Sequence, residues 1–402
     1  MYKFILLLAL GILLSISDGF SQNRSIHFID KPWQDIVAMA KQENKTIFLD
    51  AYASWCGPCK WMAANMFTND SIADYYNKTF ICASFDMEKG EGMNLRKKYA
   101  VNAYPSLIFI TPDENMVHER VGAPQKVSDY FQMARVALNP DEGLAAYLKK
   151  YQTGNNSPQF IQTYLFRLAE AYLPVNLVLK KYLATQSEAD LFNRVNWNII
   201  YRFVNGDKDN EATFEFLLKH RVEYAKLYSK DSVNNKISEV YLVNLRNIAH
   251  SYPNPKIADS VFLAQKEKVK SSGFEGAEKV IFTADLELLQ SKGKTKEFLE
   301  LAYENMDKYY SEDYTMLSRV SWFVSSITTD VKYLGKALSW SKKSVSILAE
   351  PFNTDTYASI LFQMGKKDEA IKQEKKVIAL AKQQKISTIP YDEALKKMEE
   401  SK

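Results

Sequence analysis

Two cysteines three positions apart are the residues of this sequence best suited to chemistry. Cys56 and Cys59 follow a strand-like stretch, Phe48–Ala53, and precede a stretch with helical character, Lys60–Phe67. A thiolate is the attacking species in disulfide exchange, and the free N–H groups and dipole of a helix N-terminus stabilise such an anion. The pattern predicts that Cys56 is the reactive thiol at the exposed end of a helix, with a lowered pKa. Cys59 is expected to lie buried beneath it and to close a disulfide with it.

Two other uses of a cysteine pair are open at this point, a zinc site and a purely structural disulfide. A zinc site needs two further ligands, and the sequence contains no second CxxC and no HxxxH. The four histidines also lie far from one another, so no metal site is expected. The third cysteine, Cys82, lies in an apolar stretch and is expected to be an inert buried thiol.

The segments that must position the cysteines alternate between strand patterns and helix patterns. Short β-branched and aromatic runs, separated by helical patterns, occupy residues 23–140. This alternation predicts an α/β domain with a central sheet flanked by helices. The four predicted strands are Thr46–Ala53, Phe80–Asp86, Leu107–Thr111 and Met116–Val121.

Residues 23–140 resemble the thioredoxin family in several separate places. Trp55–Lys60 reads WCGPCK, the active-site signature of thioredoxins. Asp50 stands six residues before the first cysteine, where the family keeps a buried acid beneath the second cysteine. Tyr104-Pro105 precedes the third predicted strand and matches the cis-proline loop of the family, and Gly122 fits the glycine that follows the next strand. A purely structural disulfide would not explain why these features occur together.

The resemblance implies a thioredoxin fold and a role for each matched residue. Cys56 would attack a substrate disulfide, Cys59 would resolve the mixed disulfide, and Asp50 would accept the proton of Cys59. No cofactor is implied, and the substrates would be proteins with disulfides. The residues implied to bind them are Trp55, Gly57, Pro58 and Tyr104, with Pro105 holding the Tyr104 backbone ready to pair.

Two positions depart from the usual thioredoxin pattern. Thioredoxins usually carry a lysine near the buried acid, and Cys82 or Ala83 is expected at that place here. Tyr104 is bulkier than the residue often found before the cis-proline. These two departures leave the fold intact and affect the redox potential and the substrate preference. The loop Met87–Gly92 is also longer than the minimal fold requires.

After Asn139-Pro140 the strand-like patterns end, and residues 141–402 are predicted to be entirely helical. Apolar residues recur at helical spacing, and glycines and prolines break the pattern into about a dozen helices. Ala337 and Ala370 lie in similar contexts 33 residues apart, which resembles tetratricopeptide repeats. An irregular helical bundle is the alternative. Four of the predicted helical segments are Phe160–Tyr172, Glu188–Val204, Asn210–Tyr228 and Ser232–Tyr252.

Residues 1–22 have the shape of a secretory signal peptide, with cleavage near Ser21 or Gln22. A single lysine precedes a run of 13 apolar residues, which is shorter than a membrane-spanning helix requires. An uncleaved membrane anchor is the alternative. The protein is therefore expected in the periplasm or another extracytoplasmic compartment. The active-site disulfide of a thioredoxin-like protein there must be reduced again after each cycle, and a membrane-embedded thiol reductant is the expected electron donor.

The composition excludes some classes of function and leaves a rival to the enzyme. With 46% hydrophobic and 25% charged residues the 402-residue chain is globular, and a net charge of +4 without a basic patch argues against nucleic acid binding. The rival interpretation is a helical-repeat interaction protein, whose helical part binds a protein or peptide and whose thioredoxin domain is accessory.

Overall fold

The computed structural model describes residues 24–251, 255–384 and 386–401, so the predicted signal peptide lies outside the described residues. The chain divides between Phe203 and Val204 into two compact units. The first unit contains the whole sheet together with the helices that follow it up to Phe203. The domain boundary predicted at residues 140–141, with a helical region that folds separately, stays a prediction.

The sheet of the first unit has four strands in the order β2-β1-β3-β4. β1 runs parallel to β2 and antiparallel to β3, which is antiparallel to β4. All four strands were predicted to within one residue at each end, because β-branched and aromatic residues concentrate in the pleated core. Their bounds are Ile47–Tyr52 for β1, Ile81–Asp86 for β2, Ser106–Ile110 for β3 and Met116–Val121 for β4.

Helices cover both faces of this sheet, which confirms the predicted thioredoxin-like α/β architecture. The helices are α1 (Trp33–Glu43), α2 (Gly57–Asn65), α3 (Asp70–Thr79), α4 (Gly92–Lys98) and α5 (Val127–Leu138). Alternate residues of each strand point to opposite faces, so the sheet has two apolar layers. One layer contains Met62 of α2, Tyr76 of α3 and Tyr130 of α5. The other contains Ile36 of α1 and Leu95 of α4.

The first helices after residue 140 pack against the edge strand β4. A Cβ on Gly143 would lie 2.4 Å from the carbonyl oxygen of Val117, so only glycine permits this approach. The Arg120 guanidinium lies 3.8 Å from the Glu170 carboxylate. His118 of β4 is buried, and burial together with nearby arginines lowers its pKa to about 3. The remaining helices of this unit are α6 (Leu144–Gln152), α7 (Pro158–Glu170), α8 (Asn176–Leu183), α9 (Glu188–Leu191) and α10 (Arg194–Phe203).

The second unit is entirely helical where it is described, as predicted. Ala337 and Ala370 are both fully buried, and Gly365 ends a helix with a φ of 75°. Likeness to tetratricopeptide repeats stays a prediction. The helices are α11 (Glu211–Lys219), α12 (Arg221–Tyr228), α13 (Lys230–Ser251), α14 (Pro255–Ser271), α15 (Ala277–Ser291), α16 (Thr295–Tyr310), α17 (Tyr314–Ile327), α18 (Val331–Ile347), α19 (Pro351–Gln363), α20 (Lys367–Gln383) and α21 (Ile389–Glu400).

The described residues beyond 140 form sixteen helices, more than the predicted dozen. Two predicted helices are in fact pairs. The segment Glu188–Val204 is interrupted after α9, where the Asn193 side chain accepts the backbone N–H of Asn196 and starts a new helix. The segment Asn210–Tyr228 is interrupted at His220, whose backbone leaves helical geometry. No helix among the described residues is long and apolar enough to cross a membrane.

Candidate active site

The two cysteines of the CGPC motif lie at the start of α2, directly after β1. Cys56 is the N-cap residue, in extended backbone geometry, and its Sγ accepts the backbone N–H of Cys59 at 3.1 Å. Pro58 stands in the first turn, where a missing N–H leaves no helical hydrogen bond unmade. The two sulfur atoms form a disulfide, with a Cα–Cα distance of 5.3 Å. A sulfur that accepts an N–H at a helix N-terminus is stabilised as a thiolate, which favours Cys56 as the nucleophile.

The predicted difference in exposure between the two cysteines is wrong. Cys56 is 3% exposed and Cys59 is 6% exposed, so both are buried. The strand end and the Tyr104 loop enclose the first cysteine as well as the second. The two sulfurs therefore differ in their place at the helix N-terminus rather than in their access to solvent.

Asp50 lies in the middle of β1 and is a buried acid of this site. It is only 6% exposed, and burial raises its pKa to about 7. Asp50 and Cys59 line the same cavity, of about 320 Å³. A carboxyl group that titrates near neutral pH beside the second cysteine can take the proton from that thiol.

The neighbour of Asp50 on β2 is Ser84, and neither Cys82 nor Ala83 occupies that place. In the parallel register Ser84 stands opposite Asp50, and its hydroxyl donates a hydrogen bond of 2.8 Å to Oδ2. The other carboxylate oxygen, Oδ1, has no hydrogen-bond partner among the described residues. Cys82 is opposite Phe48 and buried, and burial raises its pKa to about 12, as expected of an inert thiol.

The Tyr104–Pro105 bond is cis, as the resemblance implied, Pro105 is buried, and Tyr104 packs against the two cysteines. Gly122 has a φ of 98° and donates its N–H to the Pro105 carbonyl at 2.8 Å, which ties this loop to the end of β4. The Tyr104 ring lies 6.0 Å from the Trp55 ring in edge-to-face geometry. Trp55 is 67% exposed, and Gly57 and Pro58 are exposed beside it. The structure thus places Asp50, Tyr104 and the residues of the WCGPC motif around the start of α2, and Pro105 follows Tyr104 through the cis bond.

Two further residues of the site were missed in the sequence. Glu88 accepts the indole N–H of Trp55 at 2.7 Å, and the Arg96 guanidinium lies 5.7 Å from the centre of the Tyr104 ring. Both belong to the segment formed by the long loop after β2 and helix α4. The length of that loop was the signal that could have pointed to them. No cluster of three or more His, Cys, Asp or Glu suited to a metal ion occurs among the described residues.

Comparison with known proteins agrees with this geometry. The family model for thioredoxin-like proteins matches residues 31–112. Thioredoxin H4 of Arabidopsis thaliana is 34% identical over 91 residues, which cover 23% of this chain and 71% of that protein. This chain belongs to the thioredoxin family.

Two further proteins are similar to a part of this chain. Thioredoxin-1 of Drosophila melanogaster is 34% identical over 74 residues, which are 18% of this chain and 64% of the fly protein. A solution structure of a candidate disulphide isomerase from Bacteroides thetaiotaomicron is 36% identical, with a TM-score of 0.28. That match covers 30% of this chain and 98% of the other.

Proposed function

We propose that this protein is an exported thiol–disulfide oxidoreductase that reduces or isomerises disulfides in other proteins. The observation that carries the proposal is the arrangement of three residues. Cys56 caps α2 and accepts the Cys59 N–H, while Cys59 shares a cavity with the buried carboxyl group of Asp50. This arrangement supplies a stabilised thiolate, a second thiol within bonding distance and a proton acceptor for that second thiol.

The reaction proceeds in two exchanges. The Cys56 thiolate attacks one sulfur of the substrate disulfide, so that a mixed disulfide forms and the other substrate sulfur leaves as a thiolate, which takes up a proton. Cys59 then gives its proton to Asp50 and attacks the Cys56 sulfur. The Cys56–Cys59 disulfide forms as the bond between Cys56 and the substrate sulfur breaks, and that sulfur leaves as a thiolate, which takes up a proton while Asp50 gives up its own. The substrate gains two electrons and two protons, and the dithiol of the enzyme is oxidised.

The Tyr104–Pro105 loop and Trp55 form the substrate-binding surface in this proposal. Pro105 has no N–H, and its loop leaves the Tyr104 backbone beside the cysteine pair. The exposed Trp55 ring, with Gly57 and Pro58, supplies a contact area around the reacting sulfur. The Gly-Pro pair between the cysteines favours reduction over oxidation, by the resemblance to thioredoxins.

Return to the dithiol form requires an electron donor outside this chain. We propose a membrane-embedded thiol reductant, because residues 1–22 predict export into an oxidising compartment. Fractionation of cells and mass spectrometry of the mature N-terminus test the export. A protein that stays in the cytoplasm with Met1 intact would contradict it.

Reduction of insulin disulfides, followed by the appearance of free thiols, tests the activity. Cys56→Ser is expected to abolish turnover, and Cys59→Ser is expected to accumulate a mixed disulfide with the substrate, because the resolving thiol is gone. Cys82→Ser is the matched control, since this buried thiol lies apart from the pair, and it should keep full activity. Mass spectrometry of proteins trapped on Cys59→Ser identifies the natural substrates.

The rival function is a helical interaction protein in which the thioredoxin domain is an accessory. The observation in its favour is the second compact unit, which starts at Val204 and has apolar cores of its own. A helical array of this size can bind a protein or peptide. If Cys56→Ser keeps both partner binding and the biological effect, this second function is favoured over the first.

A further inference from the structure

We propose that a basic pocket beside the cysteine pair selects substrate proteins that carry an acidic side chain near their disulfide. This inference rests on the proposed function and names the substrates that the site prefers. The pocket has a volume of about 530 Å³ and is formed by the loop after β2 and by α4. We call it the α4 pocket, and its main lining residues are Met87, Glu88, Met93, Arg96, Lys97 and Val101.

The α4 pocket is joined to the active site through two side-chain contacts. Glu88 lines the pocket and accepts the Trp55 indole N–H at 2.7 Å. Arg96 also lines the pocket, and its guanidinium lies 5.7 Å from the Tyr104 ring centre, which itself lies 6.0 Å from the Trp55 ring. A substrate chain that covers Trp55 and Tyr104 is thereby brought to the mouth of the pocket.

The pocket is held in shape by close backbone contacts and by one hydrogen bond from a side chain. A Cβ on Gly92 would lie 2.0 Å from the Asp86 carbonyl oxygen, so α4 begins in direct contact with the end of β2. The Met87 N–H donates to the Tyr52 carbonyl at 2.8 Å, and the Arg96 Nε–H donates to the Val101 carbonyl at 3.3 Å. A binding surface that is already ordered loses less conformational entropy when a ligand enters.

The charges of the pocket decide its occupant. Arg96 and Lys97 supply two cations and Glu88, which accepts the Trp55 N–H, supplies one carboxylate, so the lining carries a net positive charge. Met93 is 50% exposed and provides an apolar wall. Two cations beside an apolar wall fit a side chain with a short aliphatic stem and a carboxylate, which is glutamate or aspartate in an extended segment of the substrate.

Peptide disulfides test the preference directly. The probes are peptides with one cysteine joined to 2-mercaptoethanol and with Glu, Gln or Lys at one of several offsets from that cysteine. The full chain in its reduced form should reduce the best Glu peptide about three to five times faster, in kcat/KM, than the matched Lys peptide. This ratio should fall as salt is added, because the cations are exposed.

Charge reversal assigns the preference to the pocket. Lys97→Glu should invert the order, so that the Lys peptide reacts faster than the Glu peptide, and Lys97→Gln should bring the ratio close to one. Lys78→Glu is the matched control, because Lys78 is an exposed cation on α3, which packs on the opposite face of the sheet. This control should keep the preference of the unaltered protein.

Three results would overturn the inference. The first is equal reduction of the Glu and Lys peptides by the unaltered protein at every offset. The second is a preference that Lys97→Glu leaves unchanged, and the third is a preference that Lys78→Glu changes as much as Lys97→Glu does. Failure of the unaltered protein to reduce any probe, 2-hydroxyethyl disulfide included, would overturn the proposed function itself and this inference with it.

Discussion

Ser84 on β2 stands opposite Asp50 on β1 and donates a hydrogen bond of 2.8 Å to its carboxylate. The bond to the charged form lowers the pKa of Asp50, whereas burial raises it, and burial is the larger effect. The result is a pKa of about 7. A neutral hydroxyl therefore holds the buried acid where it can exchange a proton near physiological pH.

Replacement of Asp50 should slow the resolving step. Asp50→Asn removes the proton acceptor, so we expect a fall in the rate of disulfide reduction of about tenfold or more and a longer-lived mixed disulfide. Ser84→Ala should raise the pKa of Asp50 further, which moves the pH–rate profile of reduction to higher pH. Stopped-flow kinetics between pH 5 and 9 measures both effects. An unchanged profile in Ser84→Ala would contradict the role given to Asp50.

Asp50→Asn should also stabilise the folded protein at high pH. The pKa of Asp50 is about 7 in the folded state and 3.8 for an ordinary aspartate. Because the folded value is the higher one, the contribution to stability is complete below pH 3.8 and is lost as the pH rises to 7. Asp50→Asn should remove this loss and so raise the free energy of unfolding by roughly 2–4 kcal/mol at pH 8. Chemical denaturation at pH 4 and pH 8 measures it, and an equal effect at both values would be evidence against a buried charge.

Alkylation of the reduced protein should distinguish the three cysteines. Cys56 accepts an N–H at the helix N-terminus, so at pH 7 it should react with iodoacetamide about tenfold faster than Cys59. Cys82 should stay unlabelled in the folded protein, because it is buried and its pKa is raised to about 12. Peptide mapping by mass spectrometry gives the order. Faster labelling of Cys59 than of Cys56 would reverse their assignment.

Two fragments should show where the catalytic domain ends. Residues 23–140 are expected to reduce insulin at nearly the rate of the full chain, whereas activity on the natural partner should fall through a raised KM. Residues 23–203 should be more stable than the shorter fragment by about 1–3 kcal/mol, because α6 and α7 cover β4 in the structure. Urea denaturation compares the two. A folded 23–140 fragment without insulin reduction would show that the helices complete the active site.

Glu374 on α20 should make the stability of the second unit depend on pH. It is fully buried, neither carboxylate oxygen has a hydrogen-bond partner among the described residues, and burial and the nearby Asp355 raise its pKa to about 8. An ordinary glutamate has a pKa of 4.5, so the contribution to stability is lost as the pH rises from 4.5 to 8. Asp355 itself has a pKa raised by burial, and Tyr391 also faces this pair.

Glu374→Gln should therefore raise the melting temperature at pH 9 and leave it nearly unchanged at pH 4. Calorimetry of the full chain measures both values. The matched control is Glu369→Gln, on an exposed face of the same helix, which should change neither value by more than a degree or two. A gain in Glu369→Gln equal to that in Glu374→Gln would show that net charge, and not the buried carboxyl, is responsible.

Local pattern was enough to predict the strands and the helix that starts at the cysteines, because residue type and periodicity determine local structure in short stretches. Asp50 and the Tyr104-Pro105 loop were found through the resemblance to thioredoxins. The entirely helical character of the region after residue 140 follows from the same periodicity. The division of two long helical segments into shorter helices was not predicted, because the breaks depend on single capping contacts such as that of Asn193.

Only the tertiary structure decided which residues meet. The register of β2 against β1 places Ser84, and not Cys82 or Ala83, beside Asp50, and a shift of one residue would have turned a different side chain to that face. The burial of Cys56, the contact of Glu88 with Trp55 and the packing of α6 and α7 on β4 join segments that are far apart in the chain. Periodicity describes the neighbours of a residue along its own element, whereas these contacts depend on how whole elements pack.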